Sequence, residues 1–188
     1  MSASRANPAV PSHSGAAARY LILLGSNIDP ARHLRRARER IECDLVLERW
    51  SRVYESDAVG APGAPRFQNQ AGLVRTPFDA RTLKEYCRAL EAALGRRRTA
   101  DPNAARTIDI DVLLGLDDRD QVRLDVPRDP HLNTHHHVCI PAAEILGELR
   151  IPGADATLAE CSARLGSPPA GFVEVDGEQP TSSGVAQE

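Results

Sequence analysis

The sequence has 188 residues, of which 26 are acidic and 23 basic, and its formal net charge at pH 7 is -3. This balance argues against a protein whose main task is to coat nucleic acid or an anionic membrane. No apolar run approaches the roughly 18 residues that a membrane helix needs. The length suits a single domain.

Cysteine usage and the N-terminal segment indicate the compartment. The cysteines are widely spaced and form no C-x-x-C pair, which is typical of reduced thiols rather than of a disulfide or zinc framework. They are Cys43, Cys87, Cys139 and Cys161. The N-terminal segment also lacks the basic start and apolar stretch of a secretory signal. We therefore expect a cytoplasmic protein.

Two polar segments flank the region that can form a core. Residues 1–18 are rich in Ser, Pro and Ala and have almost nothing to bury, so we expect a disordered leader. Residues 167–188 hold adjacent prolines, small polar residues and acids and predict a flexible tail, of which Phe172 and Val173 could dock on the folded part. The predicted domain spans residues 19–166.

The first half of this domain predicts three strands and a helix. Residues 20–24 are a short apolar run, as in a strand buried on both faces, and they lead into a Gly-Ser-Asn turn at residues 25–27. A helix is predicted from Pro30, because proline is favoured in the first helical turn. Residues 45–54 and 67–74 have the β-branched and aromatic content of strands.

The clearest helix begins after Asp79, a favoured N-cap residue, and ends at Gly95, which suits a left-handed C-terminal cap. Its apolar residues recur at helical spacing and form one stripe. They are Leu83, Tyr86, Cys87, Leu90 and Leu94. Residues 107–114 alternate polar and apolar before becoming fully apolar and predict a strand, and a weaker helical pattern covers residues 141–146.

The predicted order of the main elements is β-α-β-β-α-β. This order is the split βαβ arrangement of ferredoxin-like folds. We therefore expect an α+β sandwich in which two helices pack on one face of an antiparallel sheet.

The last of these strands is acidic. Asp109 and Asp111 lie two residues apart, so their side chains leave the same face with Cα atoms about 6.5–7 Å apart. Two carboxylates in one space repel each other unless a cation such as Mg²⁺ lies between them. Arginines at positions 96–98 and at Arg106 are close in sequence, and carboxylates beside guanidinium groups favour a polyphosphate site. A solvated acidic face whose acids simply pair with these arginines is the open alternative.

The sequence excludes the common lysine-dependent nucleotide sites. It has no G-x-x-x-x-G-K-[ST] pattern and its only lysine is Lys84, so a P-loop or a kinase-type glycine-rich loop is excluded in its usual form. A rival hypothesis is a transition-metal site at His131 and His135–His137, near Cys139, although no helix is predicted there to set the ligand geometry.

Four blocks of the chain form a recognisable series. They are Leu24–Asn27, Ser51–Tyr54 extending to Gly60, Phe67–Asn69, and Glu91–Asp111 with its Leu-Gly-Arg and Arg-Thr-Ile-Asp-Ile-Asp segments. In order and spacing they resemble the 6-hydroxymethyl-7,8-dihydropterin pyrophosphokinase family of folate biosynthesis, over about residues 19–146. The resemblance implies a ferredoxin-like fold and transfer of the β,γ-diphosphate of ATP to a pterin hydroxymethyl group, with release of AMP.

The resemblance also implies roles for individual residues. Asp109 and Asp111 match two carboxylates that hold a pair of Mg²⁺ ions on the ATP phosphates. Arg96 and Arg106 match arginines that close over the reacting groups. The matches on the nucleotide side are Glu91, Arg98, Val112, Arg123, Arg128, His131 and His135. The matches in the pterin pocket are Ser56, Val59, Phe67 and Asn69, with Phe67 stacking on the ring and Asn69 bonding to its polar edge.

This chain departs from the family pattern at three places. Ala104–Ala105 replace the Gly-Pro that usually precedes the arginine matched by Arg106. The usual Val-Pro-His-Pro, followed by an arginine and an aromatic, is replaced by Val126–His131 and the histidines at 135–137. Asp57 replaces a proline of the pterin pocket.

Two hypotheses from other classes remain beside the enzyme. The departures are compatible with a non-catalytic or altered-specificity relative that binds pterin or nucleotide. An RNA-binding module shares the strand-helix order, but such modules display aromatic side chains on central strands, where this chain has carboxylates that repel phosphate. For the enzyme we expect ATP and a small pterin as partners, two Mg²⁺ ions, no nucleic acid, no membrane and a monomer.

Overall fold

The computed structural model describes residues 17–99, 101, 104–117 and 119–175. The strands are β1 (Ala18–Ser26), β2 (Val46–Trp50), β3 (Val53–Ser56), β4 (Phe67–Thr76), β5 (Asp109–Leu116), β6 (Arg150–Ile151), β7 (Ala156–Thr157) and β8 (Val173–Val175). The helices are α1 (Pro30–Asp44), α2 (Ala80–Ala93), α3 (His136–Leu146) and α4 (Leu158–Arg164). The predicted leader lies almost entirely outside the described residues.

The main sheet is antiparallel in the order β5-β1-β4-β3-β8, so that β1 lies between the edge strand β5 and β4. On the side away from β1, β4 pairs with both β2 and β3. The prediction of a single strand over residues 45–54 is therefore wrong, because two strands lie there. The chain bends at Ser51, whose hydroxyl accepts a hydrogen bond from the backbone N–H of Ala71 at 2.9 Å. Counted as one bent strand, β2 and β3 complete the β-α-β-β-α-β order and confirm the ferredoxin-like prediction.

Two apolar layers cover the sheet. On one face the side chains of Tyr20, Ile22 and Leu24 pack against α1 and α2, as the predicted sandwich requires. On the opposite face Leu21 and Leu23 pack against α3 and α4. The expectation of helices on one face only is therefore incomplete, because strand residues of both parities are apolar and each face needs a covering layer.

The helix predicted over residues 141–146 begins five residues earlier, at His136. The prediction placed Pro141 in the first turn, where proline is favoured. In the structure Pro141 is buried inside α3, where its ring removes one main-chain hydrogen bond. The earlier start gives the histidine block a helical geometry that the sequence analysis did not anticipate.

The end of the described chain returns to the sheet. β8 pairs antiparallel with β3, and the ring of Phe172 stacks on Tyr54 with 5.2 Å between the ring centroids. These residues lie beyond the predicted domain end at residue 166, so the docking of Phe172 that the sequence left open does occur. The rest of the predicted tail lies outside the described residues. Within the described ranges, no helix combines the length and apolarity needed to cross a membrane.

Candidate active site

A cavity of about 200 Å³ opens on the α3 face of the sheet, at the end where β1 finishes and β4 and β5 begin. Eight residues predicted for the site line it. They are Ser56, Val59, Phe67, Asn69, Arg106, Asp109, Asp111 and His131. The predicted pterin residues and the predicted metal carboxylates therefore share one cavity.

Strand register and a glycine shape the floor of this cavity. Asp109 and Asp111 leave the same face of β5 and lie opposite Gly25 and Leu23 of β1. A Cβ atom at Gly25 would lie 3.1 Å from the Asn69 Oδ1 atom, which is a close contact. Since glycine lacks this atom, the floor stays open between the carboxylates and Asn69.

The Asp109 carboxylate is held by two arginines. It accepts hydrogen bonds from Arg96 and, at 2.7 Å, from the Arg106 Nη1 atom. Burial alone would raise the pKa of Asp109, but these two hydrogen bonds hold it below its ordinary value. Asp109 is therefore a carboxylate at neutral pH.

Glu91 binds two of the arginines next to Asp109. It is buried, and it accepts hydrogen bonds from Arg96 and Arg98 at 2.7 Å each and from the Ile110 N–H at 2.9 Å. Burial raises the pKa of Glu91 although the Ile110 N–H and the arginines oppose this change. Through these bonds the end of α2 is fixed to the start of β5, next to Asp109.

Asp111 has a different environment. Among the described residues none donates a hydrogen bond to its carboxylate. Burial, followed by repulsion from Asp109, Asp129 and Glu91, raises the pKa of Asp111 to about 7. A bound cation would relieve this repulsion, so the geometry fits a hard divalent ion held by one or two carboxylates together with substrate phosphates.

This raised pKa gives a testable pH dependence of stability. Unfolded Asp111 titrates near 3.8 and folded Asp111 near 7, so the folded state binds the proton more tightly and stability falls as pH rises from about 4 to 7. Asp111→Asn removes this loss. Because the carboxylate is partly exposed, we expect a Tm only about 2–5 °C above wild type at pH 8 in EDTA. The two proteins should melt together at pH 4, and an equal Tm at pH 8 would contradict the argument.

The predicted pterin residues form the other wall. Asn69 is buried, and its Nδ2 atom lies 3.4 Å from the Ser56 Oγ atom. The guanidinium carbon of Arg106 lies over the Phe67 ring, 5.5 Å from its centroid. Arg106 therefore contacts both the Phe67 ring and the Asp109 carboxylate.

Asn27 joins the two loops that border the cavity. Its side-chain oxygen accepts a hydrogen bond from the Arg106 N–H at 2.7 Å, and its Nδ2 atom donates to the Pro65 carbonyl at 3.2 Å. The Ser26 hydroxyl donates to the Thr107 carbonyl at 2.6 Å. The Gly-Ser-Asn turn thus fixes Arg106, a role that the sequence analysis did not assign.

Comparison with known proteins shows the family of the chain. A family model described as 7,8-dihydro-6-hydroxymethylpterin-pyrophosphokinase matches residues 21–147. The chain belongs to this family. It is 32% identical over 138 residues to a 2-amino-4-hydroxy-6-hydroxymethyldihydropteridine pyrophosphokinase of Pseudomonas aeruginosa, covering 71% of this chain and 84% of that protein. It is 32% identical over 143 residues to the protein of the same name from Bacillus subtilis, covering 74% of this chain and 83% of that protein.

Other residues predicted from the pyrophosphokinase resemblance lie outside the main cavity. Val112 and Arg123 line a second cavity of about 530 Å³ on the α2 face of the sheet. Arg123 is paired there with Asp125 at 2.6 Å. Arg128 donates to the Pro152 carbonyl at 2.8 Å and lines neither cavity.

The histidine block lies at the start of α3 beside the main cavity. His131 and His137 line it, whereas His135 lines an adjoining cavity with its Nδ1 atom 3.2 Å from that of His131. Burial, followed by the neighbouring His135 and His131, lowers the pKa of His137 to about 4, so His137 is neutral at pH 7. No three His, Cys, Asp or Glu residues in the described part of the chain are placed to hold a metal ion. The geometry therefore gives no support to the transition-metal alternative.

Three titratable lining residues were not among the predicted site residues. Asp57, Asp129 and His137 all line the main cavity. The sequence could have indicated them, because all three lie at or beside positions where the chain departs from the family pattern. These departures change the side chains that line the cavity.

Proposed function

We propose that the chain transfers the β,γ-diphosphate of ATP to the hydroxymethyl group of 6-hydroxymethyl-7,8-dihydropterin and releases AMP. Membership of the pyrophosphokinase family carries the reaction class, so the chain is an ATP-dependent diphosphotransferase. One observation carries the assignment of residues: Arg106 contacts Asp109 and Phe67 together. The predicted metal side and the predicted pterin side therefore meet at one guanidinium group.

The metal part of the proposal places two Mg²⁺ ions at Asp109 and Asp111. The fit rests on two oxygen-donor side chains on one strand face, and on the burial and carboxylate repulsion that together raise the pKa of Asp111. When bound there, Mg²⁺ supplies neutralisation of the phosphate oxygens. Arg96 and Arg106 would hold the remaining phosphate charge, and positioning would supply most of the catalysis.

The nucleotide part of the proposal uses the edge of the sheet. β5 is an edge strand of the sheet. Asp111 and Val112 are consecutive residues of β5 and line cavities on opposite faces of the sheet. An ATP molecule at this edge would place its base near Val112 and Arg123 and its phosphates near Asp111. The other residues proposed on the nucleotide side are Glu91, Arg98, Arg128, His131 and His135.

The pterin part of the proposal gives Phe67 a stacking role, beside Val59, while Asn69 and Ser56 offer polar atoms to the ring edge. We expect Phe67→Ala to raise the KM for the pterin by about tenfold, because base-aromatic stacking contributes ~1–3 kcal/mol. The KM for ATP should stay within about twofold, since Phe67 does not line the second cavity, where the base of ATP is proposed to lie. Steady-state kinetics with each substrate varied in turn tests this, and equal changes in both KM values would contradict the stacking role.

The decisive experiment is AMP formation from ATP and 6-hydroxymethyl-7,8-dihydropterin with Mg²⁺ in a single turnover. Stoichiometric AMP supports the proposed reaction. Tight pterin binding in calorimetry without AMP would instead identify a non-catalytic relative. We further propose that the enzyme acts as a monomer in the cytoplasm, which size-exclusion chromatography and cell fractionation test.

A further inference from the structure

The last described residues pack beside elements that form the wall of the main cavity. Residues 169–175, which we name the C-terminal strap, lie outside the region matched by the family model and have no role in the site above. Their strand β8 pairs with β3, with Val175 opposite Val53 and Val173 opposite Glu55. The strap therefore lies beside the strand that ends at Ser56, a lining residue of the main cavity.

The aromatic ring of the strap contacts two cavity-forming elements. The Phe172 ring stacks on Tyr54 with 17° between the ring planes, and its centroid lies 6.3 Å from that of His136. Tyr54 is two residues before Ser56, and His136 directly precedes His137. Phe172 thus supports two stretches of the cavity wall from their outer side.

A small cavity of about 160 Å³ separates the strap from the main cavity. Pro169 and Phe172 form one side of it. Its other side is built from residues that also line the main cavity: Ser56, Asp57, Val59 and His137. These four residues therefore form a wall that the two cavities share.

Arg66 ties the strap to both ends of the connection between β3 and β4, residues 57–66. Its guanidinium group donates to the Gly171 carbonyl and to Glu55, and its Nε atom donates to the Asp57 Oδ1 atom at 3.1 Å. Gly171 has φ 101, and a Cβ atom there would lie 3.4 Å from Arg66 and 3.5 Å from Asp57. Both distances are ordinary van der Waals contacts, so it is the left-handed φ of Gly171, and not a lack of space, that favours glycine here.

A charged contact anchors the end of the strap. Glu174 accepts a hydrogen bond from Arg52 at 2.5 Å, and Arg52 also donates to Glu144 of α3. Tyr54 donates to the same Glu144 carboxylate. The strap, β3 and α3 are thus linked as one unit around the outer side of the cavity.

We propose that the C-terminal strap is a positioning element for the pterin side of the site. It holds the 57–66 connection and the start of α3 so that Ser56, Phe67 and His137 are ordered before substrate binds, which reduces the ordering cost of binding. The identity of the ligand rests on the proposed function. The contacts between the strap and the 57–66 connection are independent of the proposed function.

The test compares three substitutions in the full chain. Phe172→Ala removes the stack, Phe172→Tyr keeps it, and Val173→Ala is the matched control because that neighbouring side chain is 44% exposed. Since an aromatic pair contributes ~0.5–1.5 kcal/mol, we expect Phe172→Ala to raise the pterin KM by about 3- to 10-fold and to leave the ATP KM unchanged. Amide hydrogen exchange in residues 57–66 should become faster in this variant alone.

If Phe172→Ala does not fold, Gly171→Ala, which strains the φ of 101, is expected to give the same changes. The strap proposal and the proposed reaction can fail independently. If wild type forms no AMP but exchange at residues 57–66 is faster in Phe172→Ala, the proposed reaction is refuted and the strap proposal is supported. Unchanged exchange and unchanged pterin KM in a folded Phe172→Ala protein would overturn the strap proposal.

Discussion

Replacing Asp109 or Asp111 with asparagine is expected to lower kcat for AMP formation by about a thousandfold, because losing several kcal/mol of metal-based charge stabilisation changes the rate by this factor. The two carboxylates lie on one face of β5 in the main cavity. Asparagine keeps the shape and removes the charge that a divalent ion needs. Quenched-flow measurement of AMP at saturating ATP and pterin gives kcat directly.

The matched control is Asp155→Asn, the same chemical change at an exposed turn between β6 and β7 outside the cavity. Asp155 has φ 47, which asparagine tolerates, so this variant should keep its stability and activity. Calorimetry should show weaker Mg²⁺-dependent ATP binding for the two cavity variants only. A folded Asp111→Asn enzyme with wild-type kcat would contradict the metal role.

Asp111 illustrates why function and stability oppose each other in this cavity. Burial, followed by repulsion from Asp109 and Asp129, raises the pKa of Asp111 to about 7, which lowers stability at neutral pH. A sequence optimised for folding alone would place a neutral residue there. The expected loss of activity and gain of Tm in one variant, Asp111→Asn, would separate a site residue from a structural one.

Hydrophobic periodicity was sufficient to predict most of the fold. The stripe of α2, its Asp79 cap and its Gly95 end appear as predicted: the Asp79 carboxylate accepts from the Thr82 N–H at 2.7 Å, and Gly95 has φ 90. The break between β2 and β3 was not predictable in this way. At the break the Ser51 hydroxyl accepts a hydrogen bond from the N–H of Ala71, 20 residues away on β4, and local patterns carry no information about such pairing.

The same limit explains which parts of the site could be foreseen. Alternation along β5 was enough to place Asp109 and Asp111 on one face. The contact of Arg106 with the Phe67 ring joins residues 39 positions apart in sequence, so only the fold reveals it. β8 is a strand of three residues whose pairing with β3 is purely tertiary, and its composition alone indicated a tail.

Arg106→Ala is expected to lower kcat by about 100- to 1,000-fold, the usual effect of removing one donor that stabilises transition-state charge. Arg106 bonds to Asp109, lies over Phe67 and is held by Asn27, so its guanidinium group is fixed where both substrates would meet. Separate binding of ATP or pterin should change much less, because each substrate keeps its other proposed contacts. Single-turnover kinetics together with calorimetry separates these effects.

Two further substitutions decide whether geometry or charge alone matters at this position. Arg106→Lys keeps the charge but loses the planar fork that contacts a carboxylate and a ring at once, so we expect it to recover less than a tenth of the lost rate. Arg35→Ala is the control, since Arg35 is half exposed on α1 and pairs only with Glu39 among the described residues. Full activity in Arg106→Lys would show that a point charge suffices. Full activity in Arg106→Ala would remove Arg106 from the reaction, and with it the link between the two sides of the cavity.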